Sequence, residues 1–266
     1  MAFGKNDVKK ISKKVLENHH PNDFLMKSTS QYNVVEAFRN LKAALSVSIP
    51  KTDKGGVSIM VTSAYPEEGK TTVSVNLALM FAMSSKAKVV VVDTDIRKGR
   101  IAKFFKGKRI PGLSEYLSGQ LSLDEIIKKS DAEKTFDYIT CGTHSPRPYE
   151  MLESQAMKNL DKELRERYDY IIYDTSPMLL VSDALAVATV TDGTVVVTRH
   201  LRSYMSDLGR VLSTLKFAKI NVLGVVLNDY QRDVKKVLGY KRYYNNEYYA
   251  YGKTSDKGES EKEKIE

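Results

Sequence analysis

The sequence has little that would tie it to an oxidising compartment or to a lipid bilayer. Its single cysteine, Cys141, cannot form an intramolecular disulfide and, with no second thiol nearby, indicates neither a zinc site nor a redox pair. No apolar run approaches the roughly 18 residues that span a membrane. The start, "MAFGKNDVKK", lacks the apolar segment of a secretory signal. These absences predict a cytoplasmic protein.

Positive charge is in excess, with a formal net charge of +9, and its distribution matters more than its total. The first 30 residues carry six lysines against three acids, and Arg97–Arg109, "RKGRIAKFFKGKR", carries seven basic residues and no acid. We interpret this second run as a solvated surface or as a receiving site for an acidic or phosphorylated peptide. We expect no nucleic-acid partner.

Short β-branched runs alternate with longer amphipathic stretches along most of the chain. Strands are predicted at Val57–Thr62, Lys88–Asp93, Tyr170–Asp174, Thr194–Arg199 and Val222–Asn228. Helices are predicted at Val34–Leu45, Gly69–Ser84, Leu123–Lys129, Ser154–Tyr168 and Ser203–Ala218. Continuously apolar strands separated by helices are typical of a parallel sheet covered on both faces. The sequence therefore predicts an α/β fold whose ligand lies beyond the carboxyl ends of the strands.

The ends of the chain differ in composition from this middle part. We expect a basic extension over 1–33, a nucleotide-binding domain over 34–238 that begins with an oligomerisation helix at 34–45, and a flexible tail over 239–266. The last residues, Lys253–Glu266, are mixed in charge and have too little apolar content to fold alone.

The strongest local signal is "SAYPEEGKTT", which runs from Ser63 to Thr72 between the first strand and its helix. Within it, Ala64–Thr71 fits the phosphate-loop pattern with alanine in place of the first glycine. Backbone amides at such a helix start face phosphate groups, and the helix dipole adds to the attraction. The predicted nucleotide-binding residues are Ser63, Glu68, Gly69, Lys70, Thr71, Thr72 and Asn228.

Three aspartates lie where strands end. Asp93 and Asp95 follow the second strand in "VVVVDTDIR", and Asp174 ends the strand in "YIIYDTSP". They share a rim with the phosphate loop, and Mg²⁺ prefers oxygen ligands while taking only one or two carboxylates from a protein. Helix capping is the alternative use of such aspartates.

The combination of "AYPEEGKT", "VVVVDTDIR" and "IIYDTSP" resembles the Walker A, Walker A′ and Walker B motifs of the bacterial tyrosine kinases that govern capsular and exopolysaccharide synthesis. The resemblance extends roughly from Glu36 to the tyrosine cluster. It implies a P-loop fold unrelated to that of eukaryotic protein kinases. It also implies ATP and Mg²⁺ as cofactors and a non-specific protein-tyrosine kinase activity.

A tyrosine-rich segment, "YKRYYNNEYYAYGK", lies near the end of the chain. Disordered tails are usually poor in aromatic residues, so a low-complexity tail explains it less well than the resemblance does. The resemblance implies that these tyrosines are substrates presented to a neighbouring subunit. They are Tyr240, Tyr243, Tyr244, Tyr248, Tyr249 and Tyr251.

Two departures from the family pattern affect the expectations. The family's ring-forming Glu-x-x-Arg-x-x-Arg helix corresponds to Glu36, Arg39 and Lys42 here, and lysine keeps the charge but loses the planar fork. A solvated helix face is the alternative. In the phosphate loop, Glu67 replaces a glycine, which places a carboxylate near the phosphates or leaves it in solvent.

The positions of the loop and rim residues at the carboxyl ends of the strands suggest their roles in phosphoryl transfer. Lys70 would hold the β- and γ-phosphates, and Mg²⁺ would bind Thr71, Asp95 and Asp174 directly or through water. Asp93 is the candidate proton acceptor, although it could exchange roles with Asp95. Asn228, after the last strand, lies where the related ATPases use an asparagine near the base, and this resemblance implies adenine. No Asn-Lys-x-Asp motif for guanine is present.

Two other functions stay open. A non-kinase ATPase of the chromosome-partitioning or septum-placement type would share the phosphate loop, but Tyr65 stands where those proteins carry a lysine. A nucleotide-dependent scaffold is the second. For the kinase, the resemblance implies a separate membrane adaptor that recruits the chain to the inner face of the cell membrane, a ring-like homo-oligomer and a cognate tyrosine phosphatase.

Overall fold

The computed structural model describes residues 25–27, 30–49, 55–85, 87–130 and 136–230. Its helices are α1 Tyr32–Ser48, α2 Lys70–Ser85, α3 Ile101–Phe104, α4 Leu113–Leu117, α5 Leu123–Ile126, α6 Pro148–Glu153, α7 Gln155–Arg167, α8 Asp183–Ala188 and α9 Met205–Phe217. Its strands are β1 Val57–Ser63, β2 Val89–Asp93, β3 Ile127–Lys129, β4 Asp137–Ile139, β5 Tyr170–Asp174, β6 Gly193–Arg199 and β7 Val222–Asn228. None of the helices in these ranges is long and apolar enough to cross a membrane.

The strands form one sheet in the order β3-β4-β2-β5-β1-β6-β7. Every neighbouring pair is parallel except β3 with β4. The register sets Asp93 beside Asp174 at the ends of β2 and β5. The prediction of an α/β fold with a mostly parallel sheet is confirmed, and the carboxyl ends of its central strands lie at one rim.

One predicted helix is partly wrong. Leu123–Ile126 is helical, but Ile127–Lys129 forms β3 and pairs antiparallel with β4. Across this pair the Lys129 ammonium lies 2.7 Å from the Asp137 carboxylate. A helix of four residues has few internal hydrogen bonds, so pairing with β4 at the edge of the sheet decides the conformation of the following residues.

Helices cover both faces of the sheet. One core packs α1 and α2 against strand residues such as Ile59 and Ile172, and the other packs α7, α8 and α9 against Met60 and Ile171. Successive strand side chains alternate between the faces, so strands buried on both sides are apolar throughout. Helix α2 is buried along almost its whole length because α1 covers its outer side with Val35, Phe38, Leu41 and Leu45.

A buried arginine joins the amino ends of the central strands. The Arg165 guanidinium, on α7, donates hydrogen bonds to the Asp161 carboxylate at 2.6 Å, to the Asp192 carboxylate at 2.8 Å and to the Gly56 carbonyl at 2.9 Å. It also contacts the Ser58 hydroxyl and the Val190 carbonyl. This network fixes β1 to the turn that precedes β6.

All of these elements belong to a unit that ends at Asn228. Most of the predicted basic extension and the whole tyrosine cluster lie outside the described residues.

Candidate active site

The phosphate loop connects the last residue of β1, Ser63, to the first residue of α2, Lys70. The Ser63 hydroxyl donates to the Tyr65 carbonyl at 2.7 Å, and the Tyr65 amide donates to the Glu68 carboxylate at 2.9 Å. Gly69 adopts a φ of +99°, a conformation that L side chains rarely adopt. Lys70 is buried at the start of the helix, where the dipole and free amides favour an anion.

Side chains from the ends of β6 and β7 hold this loop. The Asn228 side-chain amide donates to the Glu68 carbonyl at 3.0 Å, and the Arg199 guanidinium donates to the Glu67 carbonyl at 3.0 Å. The Ser203 hydroxyl contacts the Glu68 carboxylate. Asn228, which the sequence places near a base, therefore contacts the phosphate loop itself in this structure.

The Glu67 side chain points into solvent, away from the contacts that hold the loop. Its side chain is 63% exposed, and its carboxylate lies 3.9 Å from the Arg202 guanidinium. Its φ is +65°, in the left-handed region that disfavours residues other than glycine. The carboxylate thus has a cationic neighbour, while its backbone carries a conformational cost.

Gly69→Ala is expected to weaken nucleotide binding at least tenfold and to lower the free energy of unfolding by about 1–2 kcal/mol. An added Cβ would lie 1.9 Å from the Asn228 side-chain nitrogen, so Asn228 must move and release the Glu68 carbonyl. Gly119→Ala is the control, because Gly119 also has a positive φ, +72°, but no neighbour near the added Cβ. Calorimetric ATP-analogue titration and denaturant unfolding would measure both variants, and equal losses would contradict a role for the Asn228 contact.

Asp174 receives two hydroxyl hydrogen bonds at the rim. The Thr71 hydroxyl donates to it at 2.6 Å and the Ser74 hydroxyl at 3.2 Å. Burial raises the pKa of Asp174 to about 6, with a further contribution from Asp95, and the nearby Lys70 charge opposes the rise. The carboxylate is thus held in place but is poorly solvated.

Asp93 and Asp95 occupy different environments despite their adjacent positions. Asp93 is completely buried, and its oxygens accept the Asp95 amide at 3.2 Å and the Ile101 amide at 3.0 Å. Burial and the Asp174 charge raise the pKa of Asp93 well above its ordinary value. Asp95 is half-buried and accepts the Lys98 amide at 2.9 Å, so it is the more accessible carboxylate of the two.

The donor set at this rim fits a magnesium ion. A threonine hydroxyl and a carboxylate are hard oxygen ligands, and Thr71 and Asp174 already lie within 2.6 Å of each other. Among the described residues, no group of three or more His, Cys, Asp or Glu side chains forms a metal cluster. Magnesium in phosphate sites takes few protein ligands and completes its shell with phosphate oxygens and water.

Sequence reasoning missed Ser74, Ser203 and Arg199. Ser74 had a detectable signal, because it lies one helical turn after Lys70 and therefore on the same face of α2. Ser203 and Arg199 had none, since they are more than 130 residues from the loop they contact. Thr72, by contrast, is half-buried and accepts the Asn76 amide through its carbonyl at 2.9 Å.

The predicted oligomerisation residues lie on α1. Glu36 and Arg39 form an ion pair one turn apart, and the Arg39 side chain is 59% exposed. Lys42 is half-exposed. The apolar side of the same helix packs on α2.

Comparisons with known proteins identify relatives of this chain. A family model described as an AAA domain matches residues 54–222. The tyrosine-protein kinase YwqD of Bacillus subtilis (strain 168) is 31% identical over 240 residues, which cover 90% of this chain and 96% of YwqD. The tyrosine-protein kinase ptk of Acinetobacter johnsonii is 32% identical over 198 residues, but these are 74% of this chain and only 26% of that protein. The chain thus spans nearly all of one relative and about a quarter of another.

Two solved structures show the same fold. The kinase domain of the Escherichia coli tyrosine kinase ETK matches with a TM-score of 0.68 and 33% identity, over 74% of this chain and 78% of that domain. The septum site-determining protein MinD of Pyrococcus horikoshii, solved with Mg-ADP, matches with a TM-score of 0.56 and 23% identity, over 68% and 73%. The second likeness is one of fold alone.

Proposed function

We propose that this chain, which belongs to the family of bacterial protein-tyrosine kinases, transfers the γ-phosphate of ATP to tyrosines in its own C-terminal cluster, and that it does so between subunits. The observation that carries the proposal is the joint placement of Lys70 at the start of α2 and of the Thr71–Asp174 hydrogen bond at the same rim. The acceptors are the six tyrosines from Tyr240 to Tyr251.

The phosphate loop and Lys70 would hold the nucleotide. Loop amides and the Lys70 ammonium neutralise the β- and γ-phosphates, which is the main contribution that a protein makes to phosphoryl transfer. Thr71, Asp174 and the accessible Asp95 would hold Mg²⁺, which neutralises charge on the phosphates when bound. Contacts from Asn228 and Ser203 hold the loop against the ends of β7 and β6.

Transfer moves one phosphoryl group and one proton. The tyrosine oxygen forms a bond to the γ-phosphorus while the bond from that phosphorus to the bridging oxygen breaks, and ADP leaves. The hydroxyl proton passes to a carboxylate at the rim. Asp93 is a candidate because burial raises its pKa, and Asp95 is the more accessible carboxylate. Because Asp95 would also hold Mg²⁺, added Mg²⁺ should partly restore the rate of Asp95→Asn and should not restore that of Asp93→Asn.

The family also supports a cellular role for this activity. We propose that the kinase regulates capsular or exopolysaccharide synthesis and export, and that a separate membrane adaptor recruits and activates it at the inner face of the membrane. Assembly into a ring would use the exposed side of α1, with Glu36, Arg39 and Lys42. A cognate phosphatase would reverse the modification.

Lys70→Ala is expected to abolish the modification. Removing the buried ammonium leaves the phosphates without their point charge, so phosphotyrosine should fall by about a hundredfold to a thousandfold, the loss typical of removing a principal electrostatic group. Intact and peptide mass spectrometry after incubation with Mg²⁺-ATP and an adaptor peptide would measure this. Lys216→Ala, on the exposed side of α9, is the control.

Wild-type protein that binds or hydrolyses ATP without acquiring phosphotyrosine would contradict the kinase proposal. That result would instead support a non-kinase ATPase of the partitioning or septum-placement type, or a nucleotide-dependent scaffold. Phosphate on residues 240–251 in the wild type and in Lys70→Ala alike would mean that another kinase supplied it.

A further inference from the structure

A small cleft lies between the segment that follows β2, helix α6 and the segment that follows β5. It has a volume of about 360 Å³ and is lined by Arg97, Tyr149, Val181, Ser182, Asp183 and Leu185. Aromatic and aliphatic side chains form its walls, and an ion pair forms its polar part. This volume is at the lower end for ligand pockets, which span about 300–1,000 Å³.

Two segments of the chain connect the cleft to the phosphate site. Arg97 follows Asp95 by two residues and is attracted to its charge. The other wall begins in the segment that leaves β5 after Asp174. In that segment the Met178 amide donates to the Ser63 carbonyl at 2.9 Å and the Leu179 amide donates to the Ala64 carbonyl at 3.3 Å.

The polar part of the cleft is rigid and still has donors to offer. The Arg97 guanidinium binds the Asp183 carboxylate with two hydrogen bonds, at 2.7 and 3.2 Å, and Asp183 is fully buried. An arginine has five N–H groups, so three remain for another acceptor. The Arg97 side chain is 41% exposed and is therefore accessible to a ligand.

We propose that this cleft binds the acceptor tyrosine of a second copy of the chain, with the ring between Tyr149, Val181 and Leu185 and the acceptor backbone within reach of Arg97. The inference rests on the proposed kinase function and names its substrate subsite. A phenol ring suits the mixed walls, because it presents an apolar body and a polar tip. The tip would face the rim where Asp95 and the phosphate loop lie.

Charge near the cleft selects among the six tyrosines. Helix α6 carries two exposed acids, Glu150 and Glu153, and the Tyr149 hydroxyl donates to the second at 3.3 Å. In the tyrosine cluster, Lys241 and Arg242 directly precede Tyr243, whereas Glu247 directly precedes Tyr248. Arg97 is paired with Asp183, and the two acids outnumber the one exposed base at the start of α6, Arg147. This side of the cleft therefore attracts the first sequence and repels the second, so Tyr243 and Tyr244 are modified before Tyr248 and Tyr249.

The test separates the enzyme copy from the acceptor copy. The enzyme is the full chain with its six cluster tyrosines changed to phenylalanine, and the acceptor is the full Lys70→Ala chain. Ser182→Trp in the enzyme adds a large ring to an exposed cleft position. It should raise the KM for the acceptor at least tenfold and leave the KM for ATP within twofold. Ser213→Trp, on an exposed face of α9 away from the cleft, is the matched control.

The charge selection has its own test. Peptide mass spectrometry over time should show Tyr243 and Tyr244 modified about fivefold faster than Tyr248 and Tyr249 in wild-type pairs. Glu150→Lys in the enzyme should remove this preference. With this Glu150→Lys enzyme, an acceptor in which Lys241 and Arg242 are changed to glutamate should again be modified faster at Tyr243 and Tyr244.

The possible failures are distinguishable. If the unchanged enzyme copy does not modify the acceptor, the kinase function itself fails. If it does, but Ser182→Trp and Ser213→Trp have the same acceptor KM, the cleft proposal is overturned and the kinase function stands. A rise in the KM for ATP, or a change in oligomeric mass by light scattering, would also overturn it, because the cleft would then serve the loop or a subunit contact.

Discussion

The Asp174→Asn variant is expected to be more stable than the wild type and yet inactive. Burial raises the pKa of this carboxyl to about 6, whereas an aspartate in an unfolded chain titrates near 3.9. The folded state therefore binds the proton more tightly, and the free energy of unfolding falls as pH rises from about 4 to about 6. At pH 7 the ionised carboxylate costs roughly 2–3 kcal/mol, and asparagine removes that cost.

Thermal unfolding of the nucleotide-free proteins would measure the gain. At pH 7, Asp174→Asn should melt about 5 °C or more above the wild type, and the difference should shrink toward zero near pH 4. Phosphoryl transfer by the same variant should fall by at least about a hundredfold, because the carboxylate that orders Thr71 and would hold the metal is gone. Asp95→Asn is the control, since its half-exposed carboxylate should change stability little.

A lower melting temperature for Asp174→Asn at pH 7 would contradict this account. It would mean that the hydrogen bonds from Thr71 and Ser74 to the carboxylate outweigh its desolvation. Adding Mg²⁺ and nucleotide gives a second check, because binding stabilises only the form that binds. The wild type should gain far more than the variant.

Arg165→Met is expected to cause the largest loss of stability of any single substitution proposed for this chain. The change leaves the carboxylates of Asp161 and Asp192 buried without their cation, and breaking a buried pair in this way costs about 3–5 kcal/mol. It also frees the Gly56 and Val190 carbonyls. Denaturant unfolding should show the loss, and a melting temperature about 10 °C lower should accompany it.

A second arginine on α7, two residues after Arg165, supplies the control. Arg167 pairs with Asp124 at the surface, where the two side chains are 41% and 77% exposed, so Arg167→Met should cost less than about 1 kcal/mol. Neutralising the stranded acids as well, with Asp161→Asn and Asp192→Asn, should recover part of the stability of Arg165→Met. Equal losses in the two arginine variants would contradict the assignment of Arg165 as the centre of a buried network.

The phosphate loop and the three rim aspartates could be found from sequence because each signal is local. The loop is a continuous motif between a strand and a helix. Asp93 and Asp174 end apolar strands, and Asp95 follows Asp93 by two residues. Because the carboxyl ends of parallel strands lie at one edge of a sheet, the loop and the aspartates are predicted to lie close together even when the strand order is unknown. The register of β2 and β5 sets Asp93 beside Asp174, as this prediction requires.

Other parts of the site depend on contacts between distant segments. The Ser203 contact with Glu68 spans 135 residues, and no local pattern marks it. Asn228 is expected near a base, and its amide also lies against Gly69 and the Glu68 carbonyl, a contact that strand prediction cannot reveal. The burial of Asp93 likewise follows from the path of the chain between Thr94 and Ile101. The short strands β3 and β4 were missed because three residues give no detectable period.

The strand order has a consequence for synthesis of the protein. Strand β1 starts at Val57, but its two neighbours are β5 and β6, which lie more than 110 residues later in the chain. A chain emerging from the ribosome therefore holds a central strand with no neighbour until β5 is free, and with one unpaired edge until Arg199 is free. The loop contact from Asn228 forms later still. The nucleotide site is thus among the last parts of the domain to be completed, and a nascent chain that stops before β7 has no finished place for ATP.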